Sequence, residues 1–333
     1  MPNAQLLDPP LKSARCIVRH PSNPILQAKD IPYPATLIFN AGVCKYQGKY
    51  VMVFRNDFGR ENDTKFDGTN LGLAFSSDGV TWDVQSKPCW SWKDDEVTRV
   101  YDPRLTVIDG EVYMCFAVDT KHGVRGGVAK TSDFSKFEVI NVTVPENRNL
   151  VLFPEKVNGK FCRLERPMPV YSRGRDRFDI YYSQSPDARY WGDNQFVLGV
   201  EHVPYANDKI GPAAPPIKTK KGWLTTIHTV DRDESRGKHG WEPTWKKRYC
   251  AGLMLLDLNE PWKVIGLSKE PLIAPEADYE TDATNGFRTH VIFPGGMLLE
   301  PSGEVKIYYG ASDTVECLAT AHVDDLLKLC DPV

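Results

Sequence analysis

The sequence predicts an all-β protein, a five-bladed β-propeller with its functional site in the central channel. Three observations carry that expectation. A two-part phrase recurs five times along the chain. Strand-like segments dominate, while helical periodicity is nearly absent. The first and last repeats also share an extra phrase, as a ring that closes on itself would require.

The first half of the phrase is a hydrophobic β segment opened by a polar residue and a glycine. It reads Gln47-Gly48-Lys49-Tyr50, Asp109-Gly110-Glu111-Val112, Asn158-Gly159-Lys160-Phe161, Lys221-Gly222-Trp223 and Ser302-Gly303-Glu304-Val305. The second half is a small-residue strand running into a polar turn: 71–83, 127–139, 178–191, 249–264 and 316–327. Segments 49–55, 111–118 and 305–310 are rich in β-branched and aromatic residues and are bounded by Gly or Asp turns. Only 323–329 (VDDLLKL) carries a helical pattern. Just upstream of each polar-Gly pair lies a further element: Phe39-Asn40-Ala41-Gly42, Tyr101-Asp102-Pro103-Arg104, Phe153-Pro154-Glu155-Lys156, Ala214-Pro215-Pro216-Ile217 and Phe293-Pro294-Gly295-Gly296. The first strand of a propeller blade lines the channel, so these five elements are expected to converge on the axis. Asn23-Pro24-Ile25-Leu26 matches Glu270-Pro271-Leu272-Ile273. The expectation is one domain over residues 1–333, with the N-terminal segment lending a strand to the last blade and removing an open edge.

Two segments break the rhythm. Residues 55–70 are polar, charged and Gly-containing, and are expected to face a substrate. Residues 231–247 are charged and hold two tryptophans, and are expected to form a lid or an oligomer contact.

Composition excludes several classes. A net charge of −3 with no basic block argues against nucleic-acid binding. None of the eight cysteines forms a CxxC pair, which argues against a zinc or redox motif and for reduced thiols in the cytoplasm. The N-terminus lacks the charged and apolar regions of a signal peptide. No apolar run approaches the ~20 residues needed to span a bilayer.

Candidate chemistry gathers near the channel elements. Asp102, between an aromatic and a proline, reads alone as a turn residue; its place in the repeat points it into the channel. Arg148, Arg166, Lys209 and His228 fall near the corresponding elements of later repeats. Each alone reads as a surface charge or a strand residue. Together they would make a compact pocket for an anion, with Arg forks suited to phosphate and Lys adding a point charge.

These motifs, with Leu164-Glu165-Arg166-Pro167, Lys209-Ile210-Gly211 and 308–314 (YYGASDT), resemble the inverting β-mannoside phosphorylases of glycoside hydrolase family 130, which are five-bladed propellers. The resemblance runs nearly end to end. It implies that Asp102 is the general acid, that Arg148, Arg166, Lys209 and His228 bind phosphate, and that Asn40, Arg55, Tyr101 and Asp313 hold the sugar of the cleaved bond. Ala41 stands where the family often has Pro. The implied substrates are a β-mannoside oligosaccharide and inorganic phosphate, with no cofactor and no metal. The implied product is α-mannose 1-phosphate, the proton passing from Asp102 through the mannose 3-hydroxyl. Members commonly assemble into homo-oligomers.

Phosphorolysis needs one acid, whereas inverting hydrolysis needs an acid and a base. Retention of the cationic set therefore favours phosphorolysis over a hydrolase on the same scaffold. A donor acid is expected to have a raised pKa. A non-catalytic glycan-binding propeller, stacking sugars on Trp90, Trp92, Tyr190, Trp191, Trp241 or Trp245, would not need four cations around one acid. The acceptor sugar and the linkage, β-1,4 or β-1,2, stay open. The length and loop pattern look most like the subgroup acting on β-1,4 bonds of mannooligosaccharides and mannosyl-N-acetylglucosamine.

Overall fold

Short strands and tight turns organise the molecule. The computed structural model describes residues 11–59, 66–168, 178–236, 245–281 and 287–333. Among these residues the protein is mostly β. Its strands form four sheets, one of them with eight strands. That large sheet is two antiparallel groups joined by one parallel pairing, Asn147 to Arg125. Five antiparallel groups result.

The first group runs Leu37–Tyr46, Lys49–Phe58, Gly68–Ser76, Asp83–Val84. The second runs Val97–Ile108, Glu111–Thr120, Gly123–Thr131, Glu138–Val142, and the third Asn147–Leu152, Phe161–Pro167, Ile180–Ser185, Gly192–Leu198. In the fourth, Lys209–Pro212 and Ile217–Lys218 both pair with Trp223–Arg232, followed by Lys247–Leu256 and Val264–Leu267. The fifth runs Ile292–Leu299, Glu304–Ala311, Val315–His322. Its outer strand is Val18–Arg19, antiparallel to Val315–His322. The Asn23–Leu26 phrase adds to this edge: Leu26 bridges to Glu316, and the Asn23 amide donates to the carbonyl of Leu318.

Three of the polar-Gly pairs make the tight hairpin turn that needs positive φ at both central residues. Gln47 and Gly48, Asp109 and Gly110, and Asn158 and Gly159 all have φ between 49° and 80°. The helical pattern at 323–329 is a helix, Val323–Leu329, which buries Leu326 and Leu327.

Apolar side chains fill the spaces between groups. Val53 and Leu71 pack on Met114 and Phe116; Cys115 and Val128 on Leu150 and Phe161; Phe153 and Tyr182 on Trp223 and Met254. Leu253 and Leu255 then pack on Ile307 and Tyr309. A further core returns from the last group to the first, with Tyr308 and Leu318 against Met52 and Phe54. Each core thus lies between consecutive groups, and the series is cyclic.

The predicted convergence holds for some of the five elements. A side chain on Gly42 would strike the backbone of Pro103 to Leu105, and one on Gly295 would come within 2.0 Å of the Ala41 oxygen. Arg104 Nε donates to the Ala213 carbonyl at 2.7 Å, reaching the start of the fourth element. Residues 153–156 depart from the expectation. Phe153 lies in the core, Glu155 pairs with Lys218, and Lys156 pairs with Asp109 on the surface. Pro154 cannot extend the strand pairing, so the first strand of this group lies upstream, at Asn147–Leu152. Arg148 is inside that strand.

The two irregular segments are shorter than expected. Arg55 to Phe58 continue one strand and pair residue by residue with Gly68 to Leu71. Asp231 and Arg232 likewise pair with Arg248 and Lys247. Residues 60–65 and 237–244, including Trp241, lie outside the described residues.

Candidate active site

A repeated backbone irregularity aims the polar residues. In three first strands, two residues oppose one on the neighbouring strand. Asn40 and Ala41 fall between the pairs Phe39–Arg55 and Gly42–Val53. Asp102 and Pro103 fall between Tyr101–Ala117 and Arg104–Cys115. Asn149 and Leu150 fall between Arg148–Arg166 and Val151–Leu164. The first residue of each bulge is left-handed, with φ of 54°, 53° and 59°. Asn and Asp tolerate that conformation better than other side-chain-bearing residues. A bulge redirects a side chain, and all three turn into one cavity of about 790 Å³.

That cavity brings together every residue named above as the acid, as an anion binder or as a holder of the sugar. Asp102, Arg148, Arg166, Lys209, His228, Asn40, Arg55, Tyr101 and Asp313 all line it. They come from all five groups of strands and the turns between them.

One side is acidic but internally paired. Asp102 accepts from the Asn40 amide at 3.0 Å and from Arg55 Nη1 at 3.3 Å. Arg55 also grips the buried Asp57, with contacts at 2.7 and 3.1 Å, and its guanidinium lies over the rings of Phe39 and Tyr101. Asp313 pairs with Arg288 at 3.2 Å. Burial pushes the Asp102 carboxyl up, but Arg55, Arg104, the Asn40 hydrogen bond and Arg148 more than offset it, and its pKa lies below the usual carboxylate value. The expectation of a raised pKa on Asp102 is therefore not met. Asp313 is the raised carboxyl, because burial outweighs the effects of Arg288 and Arg55.

The other side is positively charged. Arg148 and Arg166 are direct cross-strand partners, a placement that sets like charges against each other. Among the described residues neither they nor Lys209 has a carboxylate partner; Asp208, beside Lys209, pairs with Lys247 instead. Among the described residues, the buried Nε atoms of Arg148 and Arg166 have no hydrogen-bond partner. Burial and the nearby Arg148 bring the Arg166 pKa down to about 9. Burial, Arg166, Lys247 and Arg148 push Lys209 well below its ordinary value. His228 is wholly buried and stacks on Phe293 with ring centres 4.7 Å apart. Burial, Arg166 and Lys209 hold its pKa far below 6.5, so it is neutral here rather than a cation. Its Nδ1 faces the Pro212 carbonyl at 3.2 Å. A carbonyl only accepts, so Nδ1 carries the proton and Nε2 is left to accept from the Asn149 amide at 3.4 Å. An anion seated here would relieve this repulsion and supply the missing acceptors.

Sequence reasoning missed several lining residues. Asn149 repeats the polar bulge position of Asn40 and Asp102, a likeness that the strand register reveals. Asp57 lies in the segment expected to face a substrate and Phe293 in a channel element, though neither was named as a site residue; Tyr249 carries no such signal. Phe58, Phe66, Phe287, Arg288 and Trp92 also line the cavity, so part of segment 55–70 faces it. The described residues of 231–247 do not line it: Asp231 is held by Arg236 and Arg248, and Trp245 is buried against the Thr289 carbonyl. Of the other aromatics, Trp90 packs between Trp92 and Phe137, and the exposed Tyr190 sits elsewhere with Trp191.

The sequence profile of glycoside hydrolase family 130, described as β-1,4-mannooligosaccharide phosphorylase, matches residues 14–332. The chain belongs to glycoside hydrolase family 130. Among its relatives in this family is the β-1,4-mannooligosaccharide phosphorylase of Ruminococcus albus, 33% identical over 342 residues, covering 98% of this chain and 94% of that one. The 4-O-β-D-mannosyl-D-glucose phosphorylase of Bacteroides fragilis is 28% identical, covering 93% and 78%. The structure of β-1,2-mannobiose phosphorylase from Listeria innocua, in complex with β-1,2-mannobiose, superposes with a TM-score of 0.80 at 26% identity, covering 94% and 98% of the two chains.

Proposed function

We propose that this family 130 protein catalyses inverting phosphorolysis of a β-1,4-mannosidic bond in mannooligosaccharides or mannosyl-N-acetylglucosamine, giving α-mannose 1-phosphate. The chain is a glycoside phosphorylase that acts on β-mannosidic bonds. One observation carries the mechanism. A carboxylate held by Asn40 and Arg55 lies in the same cavity as Arg148, Arg166 and Lys209, cations with no carboxylate partner among the described residues. Phosphate is already anionic and needs no base; it must be desolvated and aimed at the anomeric carbon. Arg148, Arg166, Lys209 and His228 take that role. Asn40, Arg55, Tyr101 and Asp313 hold the mannosyl unit. Asp102 supplies the proton to the departing oxygen, relayed through the mannose 3-hydroxyl. Bound phosphate places negative charge near Asp102 and turns the cationic field away from it, raising its pKa toward that of a donor.

The β-1,4 assignment is supported by the profile that matches almost the whole chain and by the Ruminococcus relative. A single propeller of five blades, closed by the N-terminal strand, is supported by the cyclic series of cores and the pairing of Val18–Arg19 with the last group. The eight unpaired thiols fit a reducing, cytoplasmic setting. Homo-oligomeric assembly is carried over from the family resemblance alone. The deciding experiment incubates the protein with β-1,4-mannobiose with and without inorganic phosphate. Phosphate-dependent release of α-mannose 1-phosphate is expected; free mannose at the same rate in both arms would make the enzyme a hydrolase. The reverse reaction, with mannose 1-phosphate and glucose, N-acetylglucosamine or mannose as acceptors, fixes the acceptor.

A further inference from the structure

Tyr101 is placed by resemblance among the residues that hold the sugar, yet its hydroxyl is already engaged within the protein. It donates to Asp119 Oδ1 at 2.7 Å and accepts from Arg148 Nη1 at 3.2 Å. The direction follows from chemistry. A carboxylate only accepts and a guanidinium only donates, so the hydroxyl proton must point at Asp119 and a lone pair at Arg148. Burial pushes the Tyr101 pKa up to about 12, so the proton is present at neutral pH.

The sheet register builds this chain of contacts. Arg99 and Tyr101 are two residues apart and share a face of their strand. Asp119 stands directly opposite Arg99 and diagonally from Tyr101. Its second oxygen, Oδ2, accepts from Arg99 Nε at 2.6 Å. The Tyr101 ring also has the guanidinium carbons of Arg55 and Arg99 at 4.9 and 4.7 Å from its centre. Asp119 does not line the cavity.

We infer that Asp119 is a positioning residue for the anion site: it fixes the Tyr101 hydroxyl so that the hydroxyl holds the Arg148 guanidinium against Arg166. This rests on the phosphorolytic reading of the cavity. Without Asp119, the hydroxyl is free to turn its proton toward Arg148, donor against donor, and the guanidinium loses its only hydrogen-bond acceptor among the described residues.

Asp119→Asn tests this. Two donors, from Arg99 and Tyr101, face the two carboxylate oxygens, and an amide can serve only one of them. The expected result is a rise of about tenfold in KM for phosphate, the loss of one charge-assisted hydrogen bond. The KM for β-1,4-mannobiose and the turnover at saturating phosphate should stay within about twofold. Phosphate alone, without sugar, should raise the thermal midpoint of the variant less than that of the unaltered protein. Asp119→Glu, which keeps both oxygens, should recover part of the affinity. An unchanged phosphate KM overturns the inference, and so does a parallel rise in both KM values. If Asp119→Asn does not fold, Tyr101→Phe removes the hydroxyl alone and must give a loss of phosphate affinity; unaltered affinity there overturns the inference equally. Failure of the phosphorolytic reading would look different, since the unaltered protein would then form no sugar phosphate.

Discussion

At the scale of single residues, Asp102 combines an unusual backbone with an unusual environment. Its φ of 53° suits Asp and Asn and disfavours Ala. Asp102→Asn keeps the conformation and an oxygen to accept from Asn40, but has no proton to give. Turnover should fall by about 10²–10⁴-fold with little change in stability. Asp102→Ala should be less stable than Asp102→Asn by about 1–2 kcal/mol in chemical denaturation, since a methyl side chain gains nothing from the left-handed conformation. Equal stability of the two variants would show that the bulge does not constrain this position. His228 makes a prediction in pH. Its folded pKa is depressed, so below about pH 6.5 the unfolded chain binds a proton that the folded protein refuses. Its contribution is fully present above that pH. It is lost at about 1.4 kcal/mol per pH unit as pH falls further, until the folded pKa is reached. His228→Gln should flatten the fall in unfolding free energy between about pH 6.5 and pH 5; an unchanged slope would mean that His228 is protonated in the folded state.

At the scale of elements, the first strands touch one another through glycines. A methyl group on Gly295 would meet the Ala41 oxygen, which is backbone and cannot swing aside. Gly295→Ala should therefore separate two strands, destabilising by about 1–3 kcal/mol or more. It should also lower turnover, because Asn40 and its bulge move with Ala41. Loss of stability with full activity would uncouple the bulge from the site. The strands themselves were legible in the sequence, because alternation and polar-Gly turns are local signals. The bulges were not, since an extra residue changes no local preference. That is why Asn149 was passed over although Asn40 and Asp102 were found. Lys209 and Arg166 were legible only through their flanking motifs, and His228 was legible as a site residue but not as a neutral one. Charge state depends on neighbours brought from other groups, which no stretch of sequence contains.

At the scale of the whole molecule, the two ends of the chain share one sheet. Arg19 binds the fully buried Glu280 through two nitrogens, at 2.8 and 2.9 Å, and Tyr309 donates to the same carboxylate. Arg19→Met should leave that carboxylate buried without its cation, a loss of about 3 kcal/mol measurable by denaturation. A change near zero would mean that Glu280 is held by its hydrogen bonds alone. The match between the phrases at 23–26 and 270–273 led the sequence reading to this joining of the ends, but the strand that forms is Val18–Arg19, which has too few residues to show any pattern. The shared sheet also sets a schedule. Asn23 and its partner Leu318 are 295 positions apart. A ribosome adding residues at ordinary speed takes roughly 15–60 seconds to cover that stretch. Until then a nascent chain carries its opening segment with nothing to zip onto, and several interfaces stay half-covered. The cavity, too, lacks part of its wall until Phe293 and Asp313 have been made.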